Sequence, residues 1–171
     1  MSSDTLAGVR IRPATLDDVP LLLALVRELA EYEREPDAVE ATEAMLADAL
    51  FGPRPAAEAV VAESGGEAAG FALFFHNFST WKGRRGLYLE DLFVRPAFRG
   101  LGIGRALLAH LARVAVGRGC GRFEWSVLDW NDPAIGFYRA LGAEAMDGWT
   151  TMRVSGGALA RLAAEGGAGD A

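Results

Sequence analysis

The chain has 171 residues, half of them apolar and 23% charged, with a net charge of −6. That length suits one soluble domain with a full core, and the acidic balance argues against a nucleic-acid partner while agreeing with a small cationic one. Cys120 is the only cysteine, which excludes an internal disulfide framework and a cysteine metal cluster. The first residues lack an apolar leader, and every long apolar stretch is broken by Arg, His or Gly. The expectation is a cytoplasmic protein with no membrane partner and no metal.

Residues 1–8 read as a flexible N-terminus, 9–163 as a single domain and 164–171 as a flexible tail. Residues 9–13 predict a first strand. Thr15 followed by Asp17 and Asp18 predicts a helix start. Leu21, Leu22, Leu25, Val26, Leu29 and Tyr32 then repeat at helical spacing. Glu31, Glu33 and Glu35 crowd the end of that helix; they suit a solvated face, or a negative rim for a cation. A second helix is expected over 42–50, stopped by Phe51-Gly52-Pro53. Residues 57–64 and 67–78 form a hairpin about Gly65-Gly66. A loop containing Trp81 leads to a strand over 87–94.

That strand opens the most informative stretch, YLEDLFVRPAFRGLGIG at 88–104. It carries adjacent acids, Glu90 and Asp91, which alternation places on opposite faces unless a bulge intervenes. Next come Arg99, Gly100, Leu101, Gly102, Ile103, Gly104 and Arg105, opening a helix over 102–116. Free N–H groups at a glycine-rich helix start, where the dipole places about +0.5 charge, make an anion site. The spacing is not that of a dinucleotide fingerprint, and no Gly-Lys-Ser/Thr ends the loop. A strand over 122–128 follows, then a turn at Asp129-Trp130-Asn131-Asp132-Pro133 with Asp132 as the expected cap. A helix over 133–141 carries Tyr138 and stops at Gly142. One or two strands are expected within 144–154, and a helical turn over 159–164. The order implies a mixed α/β layer with an antiparallel front half and a parallel crossover near the glycine loop.

Arg99-x-x-Gly102-x-Gly104, with IRPAT, ELAEYE, YLEDLFV, WNDPAIGFY and Gly148-Trp149, resembles the GNAT acetyltransferase superfamily. Within it the chain is similar to the diamine (spermidine/spermine) acetyltransferases over about residues 10–163. The resemblance implies the GNAT fold, a mostly antiparallel sheet flanked by helices. It also implies acetyl transfer from acetyl-CoA to a primary amine of a diamine, polyamine or thialysine-like acceptor. Other readings are an amino-acid or protein α-amino acetyltransferase, or an acyl-CoA-binding module without turnover. It assigns the pyrophosphate to the loop backbone from Gly100 to Arg105, with charge from Arg99 and Arg105. The pantetheine arm falls to the backbone of Leu92, Phe93 and Val94, and further coenzyme contacts to Asn131, Pro133 and Ala134. The acceptor falls to Tyr32, Glu33, Trp81, Glu90, Glu124, Trp125, Ser126 and Asp147, and a homodimer is implied.

The chemistry asked of these residues is plain. An alkyl amine has a pKa near 10, so roughly one in a few thousand is neutral at pH 7. A carboxylate reached through water can take its proton, the role the resemblance gives to Glu90. A tyrosine phenol, ordinarily near pKa 10, keeps a proton to deliver to a leaving thiolate, the role given to Tyr138. Cys120, His76 and His110 are read as structural.

Overall fold

The computed structural model describes residues 8–166, in two compact units, one ending at Leu128 and one beginning at Asp129. Of the flexible ends expected at 1–8 and 164–171, residues 1–7 and 167–171 lie outside the described residues.

The first unit is built on a five-stranded sheet in sequence order: β1 (Val9–Pro13), β2 (Glu58–Ser64), β3 (Glu67–Ser79), β4 (Arg84–Val94) and β5 (Phe123–Trp125). Strands β1 to β4 pair antiparallel, and β5 pairs parallel to β4. Gly65 and Gly66 turn the β2–β3 hairpin as expected, both at positive φ. The helices are α1 (Val19–Tyr32), α2 (Glu43–Phe51) and α3 (Ile103–Gly117). Thr15 opens a short 3-10 turn that leads into α1, and Thr42 caps α2 by accepting from the Met45 N–H.

Each helix buries the stripe its sequence period supplies. On α1, Leu22, Leu25 and Leu29 pack with Leu50 of α2 and with Ala59, Val61, Phe71 and Phe93 of the sheet. On α3, Ile103, Leu107, Leu108 and Leu111 are buried. The Gly104 Cα faces Leu92 and Val94. The sheet therefore has an α1/α2 face and an α3 face. Arg95 ties the layers together: its guanidinium pairs with Glu28 of α1 at 2.8 Å and donates to the Ala68 carbonyl. Beside β1, Arg12 holds Asp18 at 2.7 Å and Glu63 at 2.7 Å.

The second unit contains α4 (Asp132–Ala140) and α5 (Gly156–Gly166). Asn131 caps α4, its side chain accepting from the Ala134 N–H, where Asp132 was expected to do so. The Asn side chain reaches back over the first turn, while Asp132 sits one position too late. The strands expected within 144–154 do not form. That segment finds no ladder partner among the described residues, and an unpaired run of β-formers is not a strand. The helix expected over 159–164 runs instead over Gly156–Gly166. Every residue from Glu144 to Glu165 is exposed, including Met146, Trp149, Met152 and Leu162. Among the described residues no helix is long and apolar enough to cross a membrane.

Candidate active site

Three features of β4 build the site. The first is where its partner stops. Strand β5 pairs with β4 only at Leu87↔Phe123, Tyr88↔Glu124 and Leu89↔Trp125, so it is shorter than the strand expected over 122–128. Beyond Leu89 that edge of β4 has no strand neighbour among the described residues.

The second feature explains the stop. On the other side, Phe74 pairs with Leu89 and Leu73 with Asp91, so Glu90 is an extra residue, a β-bulge. A bulge shifts the period-2 alternation by one. Leu87 and Leu89 lie on the α3 face before it, and Leu92 and Val94 lie there after it. Asp91 and Phe93 are thereby turned to the α1 face, where Phe93 joins the core. The condition set by the sequence is met: the two adjacent acids share one side.

The bulge shifts the backbone phase as well. The Arg95 N–H donates to the Ala69 carbonyl of β3 at 2.8 Å. Counting back by two, the backbone groups of Phe93 and Asp91 turn to β3 and those of Val94 and Leu92 turn to the open edge. Two successive edge positions therefore offer N–H and C=O groups to an extended ligand, and the Phe93 backbone does not.

The third feature is charge. Asp91 is pushed up to about 6, first by burial, then by Glu90 and by Glu33 at the end of α1. Glu33 is raised too, by partial burial and by Glu90. Asp91 makes no ion pair or hydrogen bond among the described residues. Helix α1 and the bulge therefore gather like charges with no cation of the chain's own on Asp91. The sequence resemblance gives Glu90 a role and gives Asp91 none. Its signal was the Glu-Asp pair, but the bulge that turns it into the cleft leaves no mark in the sequence.

The glycine loop lies just past the open edge. After a short turn at Pro96–Phe98, Gly100 and Gly102 both hold φ +79. An L-residue rarely adopts that conformation, and Gly102 caps α3 from it. Among the described residues no side chain caps the first turn of α3, which leaves its N–H groups for an anion. Arg105 is exposed in that turn and pairs with no acid. Arg99, also exposed, lies over the Tyr32 and Phe93 rings. An open strand edge followed by a helix N-terminus fits a phosphate-bearing, amide-containing ligand such as a coenzyme A thioester.

The remaining expected residues are more dispersed. Tyr32 and Glu33 stand with Glu90 and Asp91. Glu124 lies 2.7 Å from the Arg122 Nε, without hydrogen-bond alignment, and accepts from Asn77. Ser126 and Tyr88 share a 2.8 Å hydrogen bond between hydroxyls across the β4–β5 seam, and Trp125 packs edge-on to Phe123. Trp81, 91% exposed, sits at the β3–β4 hairpin tip. The bulge lies six positions beyond Arg84, about 20 Å along the strand. In the second unit, Asn131, Pro133 and Ala134 form the first turn of α4, and Tyr138 lies on the same helix. Asp147 lies in a turn closed by the Trp149 N–H on the Met146 carbonyl. Among the described residues no three His, Cys, Asp or Glu side chains gather to hold a metal.

Residues 22–143 match the model of the acetyltransferase (GNAT) family. The chain belongs to that family. Curated GNAT relatives agree along most of its length. A Bos taurus thialysine N-epsilon-acetyltransferase is 40% identical over 169 residues, covering 92% of this chain and 99% of the bovine one. A Homo sapiens spermidine/spermine N(1)-acetyltransferase-like protein is 36% identical over 154 residues, covering 84% of this chain and 22% of the longer human protein. Among solved structures, an integron cassette protein from the V. cholerae mobile metagenome superposes with a TM-score of 0.77 at 30% identity, covering 91% of this chain and 98% of that one. The mixed sheet is thus the GNAT sheet, the protein is an acetyltransferase, and the family implies acetyl-CoA as cosubstrate.

Proposed function

We propose that the protein acetylates a primary amine of a small cationic molecule, of the diamine, polyamine or thialysine type, by direct attack on acetyl-CoA. The observation that carries this reading is the bulge at Glu90. It sets Glu90 and Asp91 beside Glu33 where the β4 edge opens, an arrangement made for an ammonium group. The named activities of the bovine and human relatives support the acceptor class.

Bound acetyl-CoA supplies an activated acyl carbon on a thioester. Leu92 and Val94 hold its amide-bearing arm along the open edge, and the loop N–H groups from Gly100 to Arg105 hold its phosphates. Asn131, Pro133 and Ala134 add coenzyme contacts from the start of α4, and the Arg105 guanidinium adds charge. Glu90 and Asp91, with Glu33, Tyr32 and Asp147, draw in the protonated amine. One carboxylate, through water, takes the proton the amine must lose. As the amine nitrogen bonds to the acyl carbon and the carbon–sulfur bond breaks, the Tyr138 hydroxyl protonates the departing sulfur. Glu124, Trp125 and Ser126 complete the acceptor surface in this reading, while Trp81, expected there from the sequence, stands at the far hairpin tip.

We take residues 9–163 as one cytoplasmic catalytic domain, and a family match spanning 22–143 supports it. The enzyme is expected to pair as a homodimer, a reading supported by the exposed apolar side chains of Met146, Trp149, Met152, Leu159 and Leu162 and by the exposed Trp81. A monomer by light scattering at micromolar concentration would overturn the pairing. Thiol release from acetyl-CoA across a panel of diamines, polyamines, thialysine, ornithine and simple amino acids tests the activity. Turnover with terminal amines but not with glycine or alanine is expected. Tight coenzyme binding with no turnover on any amine would overturn it.

A further inference from the structure

The two arginines that flank the loop glycines are placed differently. Arg105 is exposed in the first turn of α3 with no partner among the described residues. The Arg99 guanidinium carbon lies 4.9 Å from the centroid of the Tyr32 ring and 5.7 Å from that of Phe93. Its Nε donates to the Val94 carbonyl at 3.0 Å. One planar group thus touches the last residue of α1, a core ring of β4, and the last carbonyl on the open edge.

These contacts have two consequences. The guanidinium occupies an acceptor on the edge that the coenzyme arm would use, which leaves Leu92 and the Val94 N–H as its partners. It also joins the glycine loop to the helix end that carries the acids. Tyr32 precedes Glu33, and Glu33 faces Glu90 electrostatically. Helix α1 ends at Tyr32, with Arg34 in the left-handed region at φ +66. Glu31, Glu33 and Glu35 all stand at the negative pole of the helix dipole. Arg99 is the cation laid on that end.

We propose that Arg99 is a positioning residue for the amine acceptor, acting through Tyr32 to hold the acidic end of α1 against β4, rather than a phosphate ligand. The proposal rests on the acetyltransferase reading above and adds to it the residue that couples the loop to the acceptor wall. A lysine at 99 keeps the positive charge that phosphates would feel. It loses the plane that spans both rings and the Nε donor, so it separates the two roles.

The test compares wild-type, Arg99→Lys, Arg99→Gln, Tyr32→Leu and the Arg99→Lys/Tyr32→Leu pair. Acetyl-CoA affinity is measured by calorimetry, KM and kcat with the best terminal amine of the panel, and melting temperature by fluorimetry. Arg99→Lys should raise the amine KM by roughly five- to tenfold, the loss of exposed cation–π and carbonyl contacts. Acetyl-CoA affinity should stay within about threefold, and Tyr32→Leu should raise the amine KM similarly. Because both changes break one contact, the double variant should be little worse than either single one. The proposal is overturned if Arg99→Gln weakens acetyl-CoA about tenfold, Lys restores it and the amine KM is unmoved. It is overturned equally if the two substitutions act additively. A wild-type enzyme that turns over no amine defeats the acetyltransferase reading instead, a result distinct from either.

Discussion

Replacing Asp91 by Asn should make this protein more stable and the enzyme slower. The Asp91 carboxyl sits at about 6, against 3.8 when unperturbed, because burial, Glu90 and Glu33 all disfavour its charge. Its folded value lies above its unfolded value, so the folded state favours the protonated acid. That contribution is complete below about pH 4 and is lost as pH rises through about 6. The difference is roughly two units, or about 3 kcal/mol at 1.36 kcal/mol per unit. Asp91 keeps some solvent contact, and screening brings the expected figure to about 2 kcal/mol. Asparagine has nearly the shape of the protonated acid and no charge to bury. At pH 8 the variant should melt about 4–8 °C higher, from the usual 2–4 °C per kcal/mol for a chain of this size. At pH 4 the two proteins should nearly coincide. Thermal unfolding followed by circular dichroism at both pH values and matched ionic strength gives the answer. An unchanged or lower melting temperature at pH 8, or a gain of the same size at both pH values, would refute the electrostatic argument. A diamine should narrow the gap at pH 8, since an ammonium relieves the wild type alone.

Three further outcomes are expected. Tyr138→Phe should lower kcat by about a hundredfold or more while acetyl-CoA affinity measured by calorimetry stays within about threefold. Equal turnover would return Tyr138 to a packing role. Gly102→Ala must hold φ +79 with a Cβ, which should cost roughly 1–2 kcal/mol in urea unfolding and weaken coenzyme binding, since the residue sets the start of α3. Asp18→Asn should act with the opposite pH sense to Asp91. The hydrogen bond from Arg12 leads in holding Asp18 down at about 2, so its stability is present above pH 4 and is lost as pH falls through about 2. The variant should lose about 2 kcal/mol at pH 7 by urea unfolding, with the difference narrowing towards pH 3.

What could be read in advance followed from local chemistry. The stripe on α1 and that on α3 are each written at helical spacing within one segment. Gly65-Gly66 announces its turn, and the glycines after Arg99 announce theirs by the backbone they require. The GNAT resemblance gathered these pieces into one fold. What stayed hidden depends on pairing between segments. The bulge at Glu90 exists only in the register of β4 against β3, where Leu73 meets Asp91 and Phe74 meets Leu89. Strand β5 is cut short because β4 leaves it at Leu89, although residues 126–128 read as well as strand as those before them. The 144–154 run has the composition of strands and lacks the ladder partner that would make it one. The rings beside Arg99 were equally hidden, because a loop arginine shows its charge in the sequence but not what lies beneath it.

The bulge at Glu90 acts as a frameshift within the strand. Substituting Glu90 changes one side chain. Pairing it as an ordinary ladder residue would restore strict alternation and re-read every later residue of β4 on the opposite face. Asp91 would pass to the α3 side, Phe93 would leave the core beneath α1, and Leu92 would take its place. Deleting Glu90 would remove the bulge and leave Asp91 and Phe93 on their present face, so the position should tolerate many side chains and keep Phe93 in the core even without a residue there. The register of β4 against β3, more than the identity of any one acid on it, decides which face Asp91 takes.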